Sequence, residues 1–257
     1  MSESAPEAED RPVRPPLVML HGWASSPAVW HAMRSSMGGS PAQAPALPGN
    51  PGGADGLAPR LDDWSAAVLA GLPPRFDLCG WSLGGLLAIG IALAAPERVR
   101  RIALIGTSPC FCARADWPHA LDGAVVAGFR ADFADRPARV LSRFHALQCL
   151  GDARRRTVAD GLAQAAAPAA GSGGLAAGLQ VLDETDIRPR LAELRQPVRV
   201  LHGADDALIP AAAAAALCDG LANARLTMLE DCGHAPQLSR PQDCAGLLDG
   251  FLGEPDR

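Results

Sequence analysis

Ser82 stands at the centre of Gly80-Trp81-Ser82-Leu83-Gly84, a G-x-S-x-G pentapeptide. A serine hydroxyl is a weak nucleophile and needs a base beside it. Histidine is the side chain whose ordinary pKa lies near neutrality. An acid on its far ring nitrogen fixes the tautomer and stabilises the imidazolium. The chain supplies such a set in the order Ser…Asp…His. Asp205 and Asp206 lie in His202-Gly203-Ala204-Asp205-Asp206-Ala207-Leu208-Ile209-Pro210, and His234 in Asp231-Cys232-Gly233-His234-Ala235-Pro236. Two adjacent acids cannot both face one imidazole, and spacing alone does not choose between them. The chemistry open to this set is two-step acyl transfer. Ser82 attacks an ester or thioester carbonyl while His234 takes its proton, and water then releases the acid. The N–H of Leu83, just after the nucleophile, and that of Trp23, in His21-Gly22-Trp23, are the expected oxyanion donors. Each such donor typically contributes about 3 kcal/mol.

A G-x-S-x-G match can arise by chance in a chain with 27 glycines, so the surrounding elements decide its weight. Phe76 to Cys79 is a short apolar run that predicts a buried strand, and Leu83 to Ala95 predicts a helix stopped by Pro96. Strand, serine and helix together make the context of a nucleophile elbow, a turn so tight that positions two before and two after the serine must be small. Leu17 to Leu20 predicts a second buried strand, running straight into His21-Gly22-Trp23. The alternative for that tripeptide is a plain strand-to-loop exit. Further along, the patterning predicts a helix over Trp30 to Met37, one short strand near Ala42 to Leu47 and a helix over Leu61 to Leu72. Val99 to Ile105, Pro197 to Leu201 and Ala224 to Leu229 read as strands, and Ala211 to Leu221 and Pro241 to Leu252 as helices. Ser82, the acid pair and His234 all fall at C-terminal strand ends, the edge where open α/β sheets hold their sites.

Strand alternating with helix implies an α/β fold with a mostly parallel central sheet and helices on both faces. From Cys110 to about Asp186 the strand signal stops. Helices are predicted there over Ala120 to Ala134, Arg136 to Leu150 and Asp152 to Ala167, followed by a Gly/Ala/Pro linker from Ala167 to Gly174. Four of the six Phe fall in this stretch (Phe111, Phe129, Phe133 and Phe144). The expected organisation is a flexible leader over 1–14, a core formed by 15–109 and 187–257, and a helical cap over 110–186 that encloses a pocket. The alternative for the insert is a plain helical extension, with the Phe cluster as ordinary core.

With 257 residues, 48% of them hydrophobic, the chain can bury a sizeable single core. There is no Lys and no Tyr, which removes Schiff-base chemistry, a P-loop lysine and Ser–Lys mechanisms. A formal net charge of −5 argues against a general nucleic-acid footprint. The six His show no H-x-x-x-H pair and the seven Cys no C-x-x-C spacing. No metal site is therefore expected, and the chemistry needs no cofactor. His21 and His202, each before a Gly at a strand end, suit structural roles. The acidic, Pro-containing N-terminus has no signal-peptide pattern, and no apolar run nears membrane-spanning length, so a cytoplasmic, monomeric protein without membrane contact is expected. In the insert, Arg136, Arg139 and Arg143 recur at i, i+3 and i+7, with Arg154, Arg155 and Arg156 beyond them. They form either a face for an acidic partner or a solvated face paired with Asp132 and Asp135.

Taken together, Leu17-Val18-Met19-Leu20-His21-Gly22-Trp23, the serine pentapeptide and the two loops carrying Asp205-Asp206 and His234 resemble the α/β-hydrolase superfamily. Within it the chain is similar to the BioH-like pimeloyl-acyl-carrier-protein methyl ester esterases of biotin synthesis. That likeness rests on Ser108-Pro109-Cys110-Phe111 with Arg114 and Asp116-Trp117-Pro118, and on Arg143-Phe144 with Ala146-Leu147-Gln148. The resemblance implies an α/β-hydrolase fold with an inserted cap. It implies Asp206 as the acid, and Trp23, Leu83, Phe111 and Phe144 around the substrate. It also implies a carboxylesterase whose partner is acyl carrier protein bearing a pimeloyl methyl ester. Arg139, Arg143, Arg154 and Arg155 are then the expected docking residues for that acidic carrier. Other readings of the same triad are a broad short-chain esterase, a thioesterase or a C–C bond hydrolase, and, from another class, a ligand-binding homologue without turnover. Ala46-Leu47-Pro48-Gly49-Asn50-Pro51-Gly52 departs from the family in lacking an acid, and Ala165 to Gly178 matches it poorly.

Overall fold

The computed structural model describes residues 14–38, 41–167 and 172–256. The expected leader, apart from Arg14, and part of the expected linker at 168–171 lie outside the described residues. In chain order the elements are β1 (Leu17–Leu20), a 3-10 turn (Pro27–Trp30), α1 (His31–Ser35), β2 (Ala42–Gln43), α2 (Leu61–Ala70), β3 (Phe76–Trp81), α3 (Leu83–Ala94) and β4 (Val99–Ile105). Four helices follow before the next strand of the sheet: α4 (Gly123–Asp135), α5 (Pro137–Gln148), α6 (Arg155–Ala165) and α7 (Ser172–Glu184). The chain then makes β5 (Val198–Gly203), α8 (Ala211–Asp219), β6 (Ala224–Leu229), α9 (Pro236–Ser239) and α10 (Pro241–Leu252).

The strands form one sheet in the order β2-β1-β3-β4-β5-β6, with every neighbouring pair parallel. Successive side chains of a strand point to opposite faces, and the two cores follow that alternation. Val18, Leu20, Leu78 and Leu104 join Leu61, Leu86 and Leu217 of α2, α3 and α8 on one face. Leu17, Met19, Cys79 and Ala103 join Trp30, Met33 and Leu248 of α10 on the other. β1 and β3 are buried along their whole length, as strands covered on both faces must be. This is the α/β-hydrolase fold. Among the described residues no helix is long and apolar enough to cross a membrane.

Three local expectations are corrected. The strand near Ala42 to Leu47 shrinks to Ala42–Gln43, because the Leu47 N–H leaves the ladder and donates to Nε2 of His21 at 3.1 Å. The helix expected from Asp152 begins at Arg155, because the Asp152 carboxylate accepts the Arg154 N–H at 2.7 Å and turns the chain locally. The Gly/Ala-rich stretch expected as linker up to Gly174 is helical from Ser172. Leu175, Leu179 and Leu182, at i, i+4 and i+7, are all buried, and that packed stripe outweighs the poor helix propensity of the glycines.

Candidate active site

Ser82 joins β3 to α3 with φ 55° and ψ −119°, a conformation that costs a non-glycine residue about 1–3 kcal/mol. The neighbouring glycines make that turn possible. A Cβ on Gly84 would run into the carbonyls of Leu20 and His21, and one on Gly80 into the backbone of Gly84 and Gly85. The turn is pinned by the Ser82 N–H on the Ile105 carbonyl at 3.0 Å, and by Gly85 and Leu86 N–H on the Ser82 carbonyl at 2.9 and 3.1 Å. The side chain therefore caps nothing and stands at the positive end of α3. Leu83 is the first residue of α3, so its N–H has no intrahelical acceptor. The N–H of Trp23 likewise has no partner among the described residues.

The acid loop follows β5. Asp206 is buried and Asp205 is exposed. Asp206 Oδ1 accepts the N–H groups of Leu208 and Ile209 at 2.8 and 2.9 Å, while Oδ2 lies 2.8 Å from His234 Nδ1. Burial alone would raise its pKa. The His234 charge and hydrogen bonds outweigh burial and hold the carboxyl below the usual carboxylate range. His202 Nε2 is 3.6 Å from the same oxygen. Its N–H is committed to the Ile209 carbonyl at 2.8 Å, and burial lowers its pKa, so it acts as a neutral brace and not as the ion-pair partner.

His234 sits at the tip of the sheet. Its carbonyl accepts Trp81 Nε1–H at 2.8 Å, and its ring lies against Trp81 with centroids 5.6 Å apart. A Cβ on Gly106, at the end of β4, would come within 3.6 Å of the imidazole. Because the Asp206 carboxylate accepts the Nδ1–H, Nε2 carries the lone pair. That nitrogen is buried and has no hydrogen-bond partner among the described residues. No hydrogen bond joins it to the Ser82 hydroxyl in this structure, in keeping with catalytic contacts that tighten only around substrate.

The loop after β1 is fixed by His21. Its Nε2 accepts the Leu47 N–H, so its Nδ1–H donates to the Gly22 carbonyl at 2.9 Å. Burial pushes its pKa down to about 4. Trp23 then packs into the helical insert: Nε1–H donates to the Leu175 carbonyl at 2.7 Å, and its ring meets Phe144 edge-on at 4.7 Å. Phe111 and Phe144 line an apolar cavity of about 130 Å³ together with Phe129, Leu179 and Leu208. Ala207 and Leu208 bring the acid loop to its wall, whereas Trp23 and Leu83, also expected around the substrate, do not line it.

The arginines divide. Arg136 precedes α5 and pairs with Asp132 at 3.7 Å, so it does not share the helix face expected for it. Arg139 and Arg143 are exposed on α5 and Arg155 on α6, and none forms an ion pair among the described residues. Arg143 also stacks over Phe129 at 4.9 Å, at the edge of the cavity. Arg154 is tied down, donating to the Ser239 carbonyl at 2.8 Å. No sequence motif points to Asp152, a buried carboxylate that contacts the histidine loop. Besides the nearby Arg154 N–H, its partners Gly233 and Ser239 lie more than 80 residues away along the chain, and no local pattern encodes them.

An alpha/beta hydrolase family model matches residues 17–247. A pimeloyl-[acyl-carrier protein] methyl ester esterase from Aromatoleum aromaticum is 50% identical over 93% of this chain and 98% of its own. One of the same name from Nitrosomonas europaea is 37% identical over 92% and 95%. Among solved structures, an esterase from Exiguobacterium antarcticum superposes with a TM-score of 0.80 at 20% identity, covering 93% of this chain and 92% of that one. A match that starts with β1 and ends inside α10 takes in every strand and the whole helical insert, and the chain belongs to the alpha/beta hydrolase family.

Proposed function

We propose that this protein is a cytoplasmic serine carboxylesterase that hydrolyses the methyl ester of pimeloyl-acyl carrier protein, giving the free pimeloyl carrier and methanol for biotin synthesis. The observation that carries the substrate is the 50% identity, over nearly both full lengths, to an esterase of that name. In the mechanism, Ser82 attacks the ester carbonyl and His234 Nε2 receives its proton. Asp206 holds the imidazole in the tautomer that leaves Nε2 free, through the 2.8 Å contact on Nδ1. The N–H groups of Trp23 and Leu83 receive the oxyanion. Methanol leaves with the proton from His234, and water, activated by the same nitrogen, releases the acid from Ser82. The apolar cavity beside Phe111 and Phe144 suits the methylene chain. The exposed Arg139, Arg143 and Arg155 suit an acidic carrier, with Arg154 confined by its bond to Ser239.

The test is the double variant Arg139→Glu with Arg143→Glu. Its kcat/KM on carrier-linked methyl ester should fall by about tenfold or more, since each lost or reversed charge pair changes association at low salt. Activity on a small free ester should stay within about twofold, as for surface substitutions in general. Equal loss on both substrates refutes the docking face. A wild-type enzyme that shows no preference for the carrier form returns the assignment to a broad short-chain esterase.

A further inference from the structure

The turn between α5 and α6, residues 151 to 154, belongs to the helical insert, yet it is hydrogen-bonded to the loop that carries His234 and packed against the one that carries Asp206. Asp152 is 2% exposed. Its Oδ2 accepts the N–H of Gly233, the residue before His234, at 2.9 Å. Its Oδ1 accepts the Ser239 hydroxyl at 2.9 Å and the Arg154 N–H at 2.7 Å. The next residue, Ala153, donates its N–H to the Asp231 carbonyl at 3.1 Å, and Asp231 is held at φ 52°. On the other side, Gly151 adopts φ +83°, and any Cβ there would strike the carbonyl of Asp205. The Asp205 N–H in turn donates to the Cys232 carbonyl at 3.0 Å. The acid loop, the histidine loop and this turn thus form one hydrogen-bonded unit.

We infer that Asp152 is a positioning residue for His234. It satisfies the buried Gly233 N–H and so sets where the imidazole stands relative to Ser82. Without that carboxylate, the Gly233 N–H would be a buried donor with no acceptor, a state that proteins avoid by moving the backbone. A shift of the Gly233–His234 segment moves Nε2 against a nucleophile fixed independently on β3 and α3. A displacement near 1 Å in such a pair can cost about 10²-fold in rate. The same bonds tie the C-terminal end of α5, a helix that lines the apolar cavity through Arg143, Phe144 and Leu147, to the catalytic pair. This inference rests on the assignment of Ser82, His234 and Asp206 as the catalytic set.

The test compares Asp152→Asn and Ser239→Ala with wild type, on a small free ester, with kcat expressed per site titrated by a serine-directed phosphonate. An isosteric carboxamide cannot accept from both flanks, so Asp152→Asn should lower kcat by about tenfold or more, at an almost unchanged KM, a fraction of the 10²-fold limit for misplacement. Phosphonate inactivation should slow in parallel. The low-field proton resonance of the His234–Asp206 hydrogen bond should broaden or move. Ser239→Ala keeps the Gly233 acceptor, so it should hold kcat within about twofold even where it lowers Tm. If Asp152→Asn yields too little folded protein to titrate, Asp152→Ser takes its place. Its hydroxyl can still cap Arg154 but is too short to span to Gly233, and the same loss is expected. Full kcat per titrated site in the Asp152 variant, with an unmoved low-field resonance, overturns the inference and leaves Asp152 as a stabilising contact only. Equal kcat loss in Ser239→Ala also overturns it. Failure of the underlying catalytic assignment would appear separately, as turnover surviving in Ser82→Ala.

Discussion

Replacing Asp206 with asparagine perturbs a single proton while keeping the shape of the site. Oδ1 faces two backbone donors, Leu208 and Ile209, at 2.8 and 2.9 Å. An asparagine must keep its carbonyl oxygen there, because its NH₂ would otherwise oppose two N–H groups. The NH₂ then faces His234 Nδ1, which in wild type lies 2.8 Å from a carboxylate oxygen. Nδ1 must become the acceptor, the ring proton moves to Nε2, and the nitrogen meant to receive the Ser82 proton is occupied. The equivalent tautomer error in a serine protease lowers kcat by about 10⁴, which corresponds to about 5.5 kcal/mol of barrier. The assay is the steady-state hydrolysis of a chromogenic short-chain ester at neutral pH, with far-UV circular dichroism to check the fold. Asp206→Asn should lose kcat on that scale with KM nearly unchanged. Asp205→Asn, at an exposed side chain, should stay within about twofold. A loss below about tenfold in Asp206→Asn, or a larger loss in Asp205→Asn, would refute the role given to this carboxylate.

Two further outcomes follow from the surroundings of the site. His21 is neutral in the fold because burial lowers its pKa to about 4 from a reference of 6.5. Between those values the unfolded chain binds more protons, so its contribution to stability is complete above pH 6.5 and is lost as pH falls toward 4. That is about 3 kcal/mol across the window. The urea midpoint should fall over this range, and less steeply in His21→Gln; equal slopes would contradict the argument. Phe144→Ala removes the edge-on partner of Trp23 at 4.7 Å and one wall of the apolar cavity. It should cost about 3 kcal/mol of stability and raise KM for longer acyl chains more than for acetate esters. A uniform change across chain lengths would separate the cavity from acyl binding.

How much of this was legible in the sequence depended on distance along the chain. The elbow was readable because its demands are local: apolar residues before Ser82, glycines two positions either side, and an apolar helix after it. β4, β6 and α10 begin and end where the patterning placed them; Gly106 closes β4, and Pro241 and Gly253 bracket α10. The choice between Asp205 and Asp206 was not in the spacing. It came from family resemblance, and the geometry behind it is the pair of N–H groups from Leu208 and Ile209 folding back on one carboxylate. The start of α7 reads as linker because its glycines argue against a helix locally. Its leucine stripe gains only from packing against Trp23 and the rest of the insert. Asp152 was invisible for the same reason, being one acid in a turn whose partners come from α9 and the histidine loop.

The most direct measurement of the central claim is the conversion of methyl pimeloyl-acyl carrier protein, followed by intact mass of the carrier and by released methanol, in wild type and Ser82→Ala. The account predicts stoichiometric demethylation by wild type, with kcat/KM for the carrier form well above that for a small free ester and falling with added salt, and no turnover by Ser82→Ala. Demethylation that survives in Ser82→Ala would contradict the mechanism. Activity confined to free esters would contradict the substrate assignment while leaving the fold as described.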